Sequence, residues 1–190
     1  DWEVIQLGRG WNGCMSLPRI LTFSAAGRLV QSPAPEFEKL RRVEGRVHKT
    51  DFEVKGTPYL LEETIGDTCE IIIEASPSAV EWGVRLRSGD NFLPICFADC
   101  ARTLAVADVT APLTPNEGEG MKLHIFIDKS VIEVYANEGE TVMSRMESYP
   151  LGERRLELHC GGAGLRIRSL DVWRLSPAEF GGSFSGAPTG

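Results

Sequence analysis

No apolar run in this 190-residue chain approaches the roughly 20 residues that a membrane-spanning helix needs, so none of its segments is expected to cross a membrane as a helix. Positive charge is in short supply too. Lys and Arg number 20 against 27 Asp and Glu, and the net charge of −7 argues against nucleic acid or an anionic membrane as partner, since both reward clustered cations. Histidine is scarce, and His124 and His159 have no ligand spacing with each other. The five cysteines, Cys14, Cys69, Cys96, Cys100 and Cys160, are an odd, scattered set and no disulfide framework. Cys96 and Cys100 have CxxxC spacing, but no second pair follows, so all five read as plain buried thiols. GxSxG is absent, and Ser, His and Asp show no informative order for nucleophilic catalysis. The expectation is no metal site, no cofactor and no autonomous hydrolase. A signal peptide is not visible, but the chain opens at Asp1 rather than Met. It reads as a fragment or processed product, and secreted and cytoplasmic locations both stay open.

What is present is strand. Short alternating or β-branched runs occur at 69–75, 80–87, 93–98, 103–109, 123–128, 131–136, 141–146, 156–160 and 165–175, most of them separated by turn clusters such as SGDN and NEG. Many short strands at this spacing predict an all-β fold, an antiparallel two-sheet β-sandwich of jelly-roll, concanavalin A-like type. Only PEFEKLRRVE (35–44) reads as helix, with Pro35 and Glu36 suited to its first turn and Arg41 and Arg42 to its last. It is too short to stand alone, which predicts a docked connector. The Gly/Ser/Pro-rich end, 177–190, predicts a flexible tail.

The stretch LHIFIDKSVIEVYANEG (123–139) collects His124, Asp128, Glu133 and Tyr135 within a few residues. If Lys129–Ser130 is a two-residue turn, Ile127 faces Ile132, Ile125 faces Val134 and Leu123 faces Ala136, all on one side of the sheet. The other side then holds His124, Phe126, Asp128, Glu133 and Tyr135. A one-residue slip would mix the two sets, so the pattern specifies the pairing. NEG suits a second turn with Gly139 in a left-handed conformation, giving a three-stranded meander. A retaining glycosidase needs its carboxyl groups about 5 Å apart around a sugar, and this register places Asp128 and Glu133 around no common cleft. Asp128 is expected to cap the turn backbone, and Glu133 to pair with a neighbouring Arg at the surface.

These residues resemble a known pattern. LHIFIDKSVIEVYANEGETVMSRMESYP is similar to the hairpin signature in the C-terminal β-sandwich of glycoside hydrolase family 32, the invertase-, levanase- and inulinase-type enzymes. Ile125, Phe126, Asp128, Ser130, Glu133, Asn137, Gly139, Tyr149 and Pro150 match it, with Tyr135 in place of the commoner Phe. GWNGCMSLPRILTFSAAGRLVQSPAPEFEKLR (10–41) resembles the end of that family's catalytic propeller and its linker, with Ile20 where a Glu is usual. The family's catalytic motifs (WMNDPNG, RDP and EC) are absent, and Cys69–Glu70 is the last in reverse order, so no residue here is carried over as catalytic. The resemblance implies a propeller remnant at 1–32, a helical linker at 33–42 and the sandwich at 43–176. It further implies a non-catalytic role in supporting the parent's propeller domain or oligomerisation, with hydrolysis of O-glycosyl bonds of sucrose or fructans in the full-length protein.

A second expectation is a lectin-like module for sugar or glycan, with Trp82, Trp173 and Tyr59 as stacking platforms. The outward Phe126, Tyr135 and His124 suit a contact surface. Trp11, Leu17, Leu21 and Phe23 make the N-terminal piece too apolar to fray, which predicts docking on the sandwich or a homo-oligomer.

Overall fold

The computed structural model describes residues 14–77, 81–98, 100–113, 120–146, 153–162 and 164–178. Trp11 and most of the expected flexible tail lie outside them. The strands are β1 (Arg19–Phe23), β2 (Leu29–Pro33), β3 (Val47–Val54), β4 (Tyr59–Gly66), β5 (Thr68–Ala75), β6 (Trp82–Ser88), β7 (Asn91–Ala98), β8 (Thr103–Val106), β9 (Val109–Pro112), β10 (Met121–Asp128), β11 (Val131–Ala136), β12 (Thr141–Met146), β13 (Arg154–Cys160) and β14 (Leu165–Arg174). A first six-stranded sheet runs β12-β11-β10-β5-β14-β3, a second runs β4-β13-β6-β7-β8-β9, and β1-β2 form a separate ribbon. The all-β two-sheet sandwich is therefore the observed fold. Inward side chains of both sheets, among them Ile71, Ile125, Val134 and Leu170 facing Trp82, Val84, Ile95 and Leu158, merge into one hydrophobic core.

The β10–β11 register is the expected one: Ile127 pairs with Ile132, Ile125 with Val134 and Leu123 with Ala136. The turn lacks the usual Asn-Gly, and Lys129 supplies the left-handed geometry itself at φ 53°. The NEG turn is tighter than expected, since Asn137 and Glu138 join Gly139 at positive φ. Glycine is required there for a second reason: a Cβ on Gly139 would sit 1.8 Å from the carbonyl oxygen of Gln31 on β2.

Several expectations need correcting. The helix over 35–44 is a 3-10 turn at Pro35–Leu40 that ends with Arg41 in extended conformation. Arg41 forms a β-bridge with Leu175, and the Arg42 N–H bonds the carbonyl of Arg174 at 2.9 Å, so pairing alongside β14 wins over helix propagation. The run 103–109 divides into β8 and β9 around Ala107 at φ 53°. Strands β3 and β4 fall outside the expected list because they are sheet edges, where solvated positions carry His48, Lys49, Asp51 and Glu62 and blur the apolar alternation. Of the five thiols only Cys69 is buried; Cys14 and Cys100 are exposed.

Candidate functional site

Period-two alternation sends Ile71, Ile125 and Val134 into the core and sends their neighbours to the outer face of the first sheet. There the registers line up one continuous cross-strand row: Ser144, Glu133, Phe126, Glu70 and Trp173, from β12, β11, β10, β5 and β14. The adjacent row places Tyr135 opposite His124. An outer face should be wet, yet Glu70 and Glu133 are each 1% exposed. The segment from residue 14 to Arg41 lies over them.

Two arginines of that segment hold the two carboxylates. Glu133 accepts the Leu17 N–H at 2.6 Å, Arg19 Nη2 at 2.7 Å and the Tyr135 hydroxyl at 2.9 Å. Arg19 also donates to Ser144 Oγ, which ties the ribbon to β12 as well as β11, and to Gln31 Oε1 within the ribbon. Glu70 accepts Arg41 through Nε at 2.7 Å and Nη2 at 2.8 Å, and His124 Nε2 at 2.7 Å. Between the clamps the Phe37 ring packs on Phe126 at 5.6 Å, and a cleft of about 200 Å³ remains, lined in part by Pro35, Lys122 and His124.

Burial alone would raise the Glu70 pKa, but the hydrogen bonds and charges of Arg41 and His124 outweigh it and hold the carboxyl below its usual 4.5. Burial, then the bond to Glu133 and its charge, push the Tyr135 hydroxyl up to about 12, so it remains a donor. A general acid needs a pKa near the working pH, and Glu70 moves the other way. Glu70 and Glu133 also stand two strands apart, about 9.5 Å by the spacing of a sheet, with Phe126 between them. Each carboxylate is already occupied by donors of its own, Glu133 by Leu17, Arg19 and Tyr135 and Glu70 by Arg41 and His124. The arrangement is a double clamp rather than an acid–base centre.

The residues singled out from the sequence divide accordingly. Glu133 does pair with an Arg, but the pair is buried, not at the surface, because the ribbon covers it. Asp128 is exposed at the hairpin tip and does not cap the turn; the Lys129 N–H bonds the carbonyl of Asp67 instead. Phe126 and Tyr135 do form a contact surface, and its occupant is the chain's own N-terminal segment. Docking of that segment was expected, and Leu17 takes part through its backbone; Leu21 and Phe23 stay exposed. Trp82 is 1% exposed inside the core, where no sugar can stack on it. Trp173 lies on the outer face under the guanidinium groups of Arg41 at 4.4 Å and Arg46 at 5.1 Å. Tyr59 is half-buried against Phe52. The three rings share no platform. Glu70 is the functional residue that sequence reasoning passed over. Its signal is a carboxylate between Cys69 and Ile71 in an apolar run, a position that demands a buried partner.

Residues 36–174 match the family described as Glycosyl hydrolases family 32 C terminal. The chain is 29% identical over 185 residues to a levanase of Bacillus subtilis (strain 168), covering 85% of this chain and 27% of the levanase. It is 30% identical over 183 residues to a sucrose-6-phosphate hydrolase of Escherichia coli, covering 87% of this chain and 35% of that protein. It thus spans about a third or less of these relatives. Among solved structures, fructan 1-exohydrolase IIa from Cichorium intybus superposes with a TM-score of 0.77 at 19% identity, over 92% of this chain and 43% of that one, a likeness of fold.

Proposed function

This chain belongs to the C-terminal domain family of glycosyl hydrolases family 32, and on that premise we propose that it is the non-catalytic β-sandwich of a β-fructofuranosidase-type enzyme. The enzyme's propeller domain, outside this chain, hydrolyses the O-glycosyl bonds of sucrose or fructans. In this reading residues 1–32 complete the propeller, 33–42 link it, and 43–176 form the sandwich that supports it.

The double clamp carries the proposal. Arg19–Glu133 and Arg41–Glu70 pin both ends of the connecting segment to one sheet face. The ribbon meanwhile turns Ile20, Leu21 and Phe23 of β1 to solvent, at 45%, 63% and 76% exposure. Such a strip beside an open strand edge suits a covering domain, and in its absence it is the strip on which a second copy would settle. The names of the relatives, levanase and sucrose-6-phosphate hydrolase, supply the substrate class.

The test is the longer reading frame that contains this chain. The full-length protein should release fructose from sucrose, levan or inulin, and disrupting the clamps by Arg19→Ala with Arg41→Ala should lower its melting temperature while leaving KM unchanged. A full-length protein without glycosidase activity would overturn the reading.

A further inference from the structure

On the outer face of the second sheet lies a side-chain pair that the clamp does not use. Cys96 on β7 and His159 on β13 flank β6, and both are directly opposite Gly83. Backbones two strands apart stand about 9.5 Å from each other, and an intervening side chain would ordinarily keep the outer two apart. Gly83 has none to interpose. A Cβ there would lie 2.1 Å from the carbonyl oxygen of Ile95, so the backbone approach itself demands glycine. Across the gap Cys96 Sγ and His159 Nε2 come to 3.6 Å, and both side chains are half-buried and reachable from water.

That separation is also the bite of a tetrahedral metal. A thiolate about 2.3 Å and an imidazole nitrogen about 2.0 Å from zinc, at the tetrahedral angle, lie about 3.5 Å apart. We propose that Cys96 and His159 form a two-donor chelate for one divalent cation of the zinc class. Among the described residues no three metal-ligating side chains converge, so the proposed site counts two protein donors there and leaves its other positions open to water. A sulfur–nitrogen donor pair favours zinc over the hard cations calcium and magnesium.

The local charges set how binding proceeds. Burial and the Arg85 charge hold His159 below its usual 6.5, against Glu157 and Glu81, so the ring is neutral and ready to ligate at neutral pH. Burial and Glu81 push the Cys96 thiol up, against Arg85, so the sulfur is protonated before metal arrives. Binding then breaks the S–H bond, gives the sulfur lone pair to the metal and releases one proton to solvent, with no change of oxidation state.

The test uses the full chain carrying Cys14→Ser and Cys100→Ser, which removes the two exposed thiols. Titration with Co2+ should produce a thiolate-to-cobalt charge-transfer band at one equivalent, with release of one proton per ion, and Zn2+ should displace it. Cys96→Ser should abolish the band. His159→Gln should weaken Zn2+ binding by at least about tenfold, because even an outer-shell partner of a metal ligand is worth that much. Zn2+ should raise the melting temperature of the starting chain and of neither variant, which reads binding on folded protein. Absence of the band, or equal affinity in His159→Gln, would overturn the proposal and leave the pair as an S–H···N hydrogen bond.

Discussion

Arg41 grips Glu70 with two parallel hydrogen bonds, Nε to Oε2 at 2.7 Å and Nη2 to Oε1 at 2.8 Å, while its guanidinium lies 4.4 Å from the centre of the Trp173 ring. The bidentate geometry fixes the orientation of the arginine as well as its distance. Trp173 is directly opposite Glu70 across the β5–β14 register, so one side chain reads two strands at once. The β-bridge from Arg41 to Leu175 then fixes where the segment after the 3-10 turn meets the end of β14.

Glu133→Ala should destabilise the chain by about 3 kcal/mol, the lower end of the cost of stranding one member of a buried ion pair, because Arg19 keeps 18% exposure. Glu133→Gln should cost less, since the amide oxygen can still accept from Leu17 or Arg19. A surface pair would have cost under about 1 kcal/mol. Urea melts of the two variants distinguish a buried clamp from a surface pair.

Acid should loosen the Arg41–Glu70 clamp. The folded-state pKa of Glu70 is depressed, so its contribution is complete above the ordinary carboxylate value near 4.5 and is lost as pH falls through the lower folded value. Stability measured against pH should therefore fall on the acid side. Glu70→Gln should be less stable at neutral pH and show a shallower acid slope. An unchanged slope in the variant would remove Glu70 from the acid response.

Ile125→Ala should cost about 2–5 kcal/mol, the range for truncating a buried aliphatic, since Ile125 is fully buried between the sheets. Asp128→Ala, at the exposed tip, should stay within about 0.5 kcal/mol. Denaturant melts giving the reverse order would contradict the hairpin register.

Deleting residues 1–32 removes Leu17, Arg19 and the ribbon but none of the twelve sandwich strands among the described residues. The product should keep its β-sheet circular dichroism, melt earlier because Glu133 loses two of its donors, and change its association state. Light scattering and circular dichroism read both effects. Complete unfolding would show that the ribbon belongs to the core.

The purified chain should release no sugar from sucrose, levan or inulin, because none of the family's three catalytic carboxylate motifs occurs in it. A reducing-sugar assay checks this. Activity lost on changing Glu70 or Glu133 would mean that the clamp is a catalytic pair after all.

Local periodicity carried the sandwich and the β10–β11 register into view, because side chains alternate with period two and one slipped residue would bury Glu133 in place of Val134 in the core. The edge strands β3 and β4 escaped, since water satisfies their open side and removes the pressure for an apolar pattern. Position on the outer face was likewise legible for Phe126, Glu133 and Tyr135. Their burial was not, because it depends on a segment that meets Glu133 from 114 residues away along the chain. The same holds for Arg41, whose residue type suited a helix end but whose backbone follows β14 instead. Alternation is a property of neighbours in sequence, so the sequence alone determined which side of each sheet a residue takes. What covers that side is a matter of long-range docking and desolvation, and only the tertiary structure decided that two outward glutamates would become buried clamps.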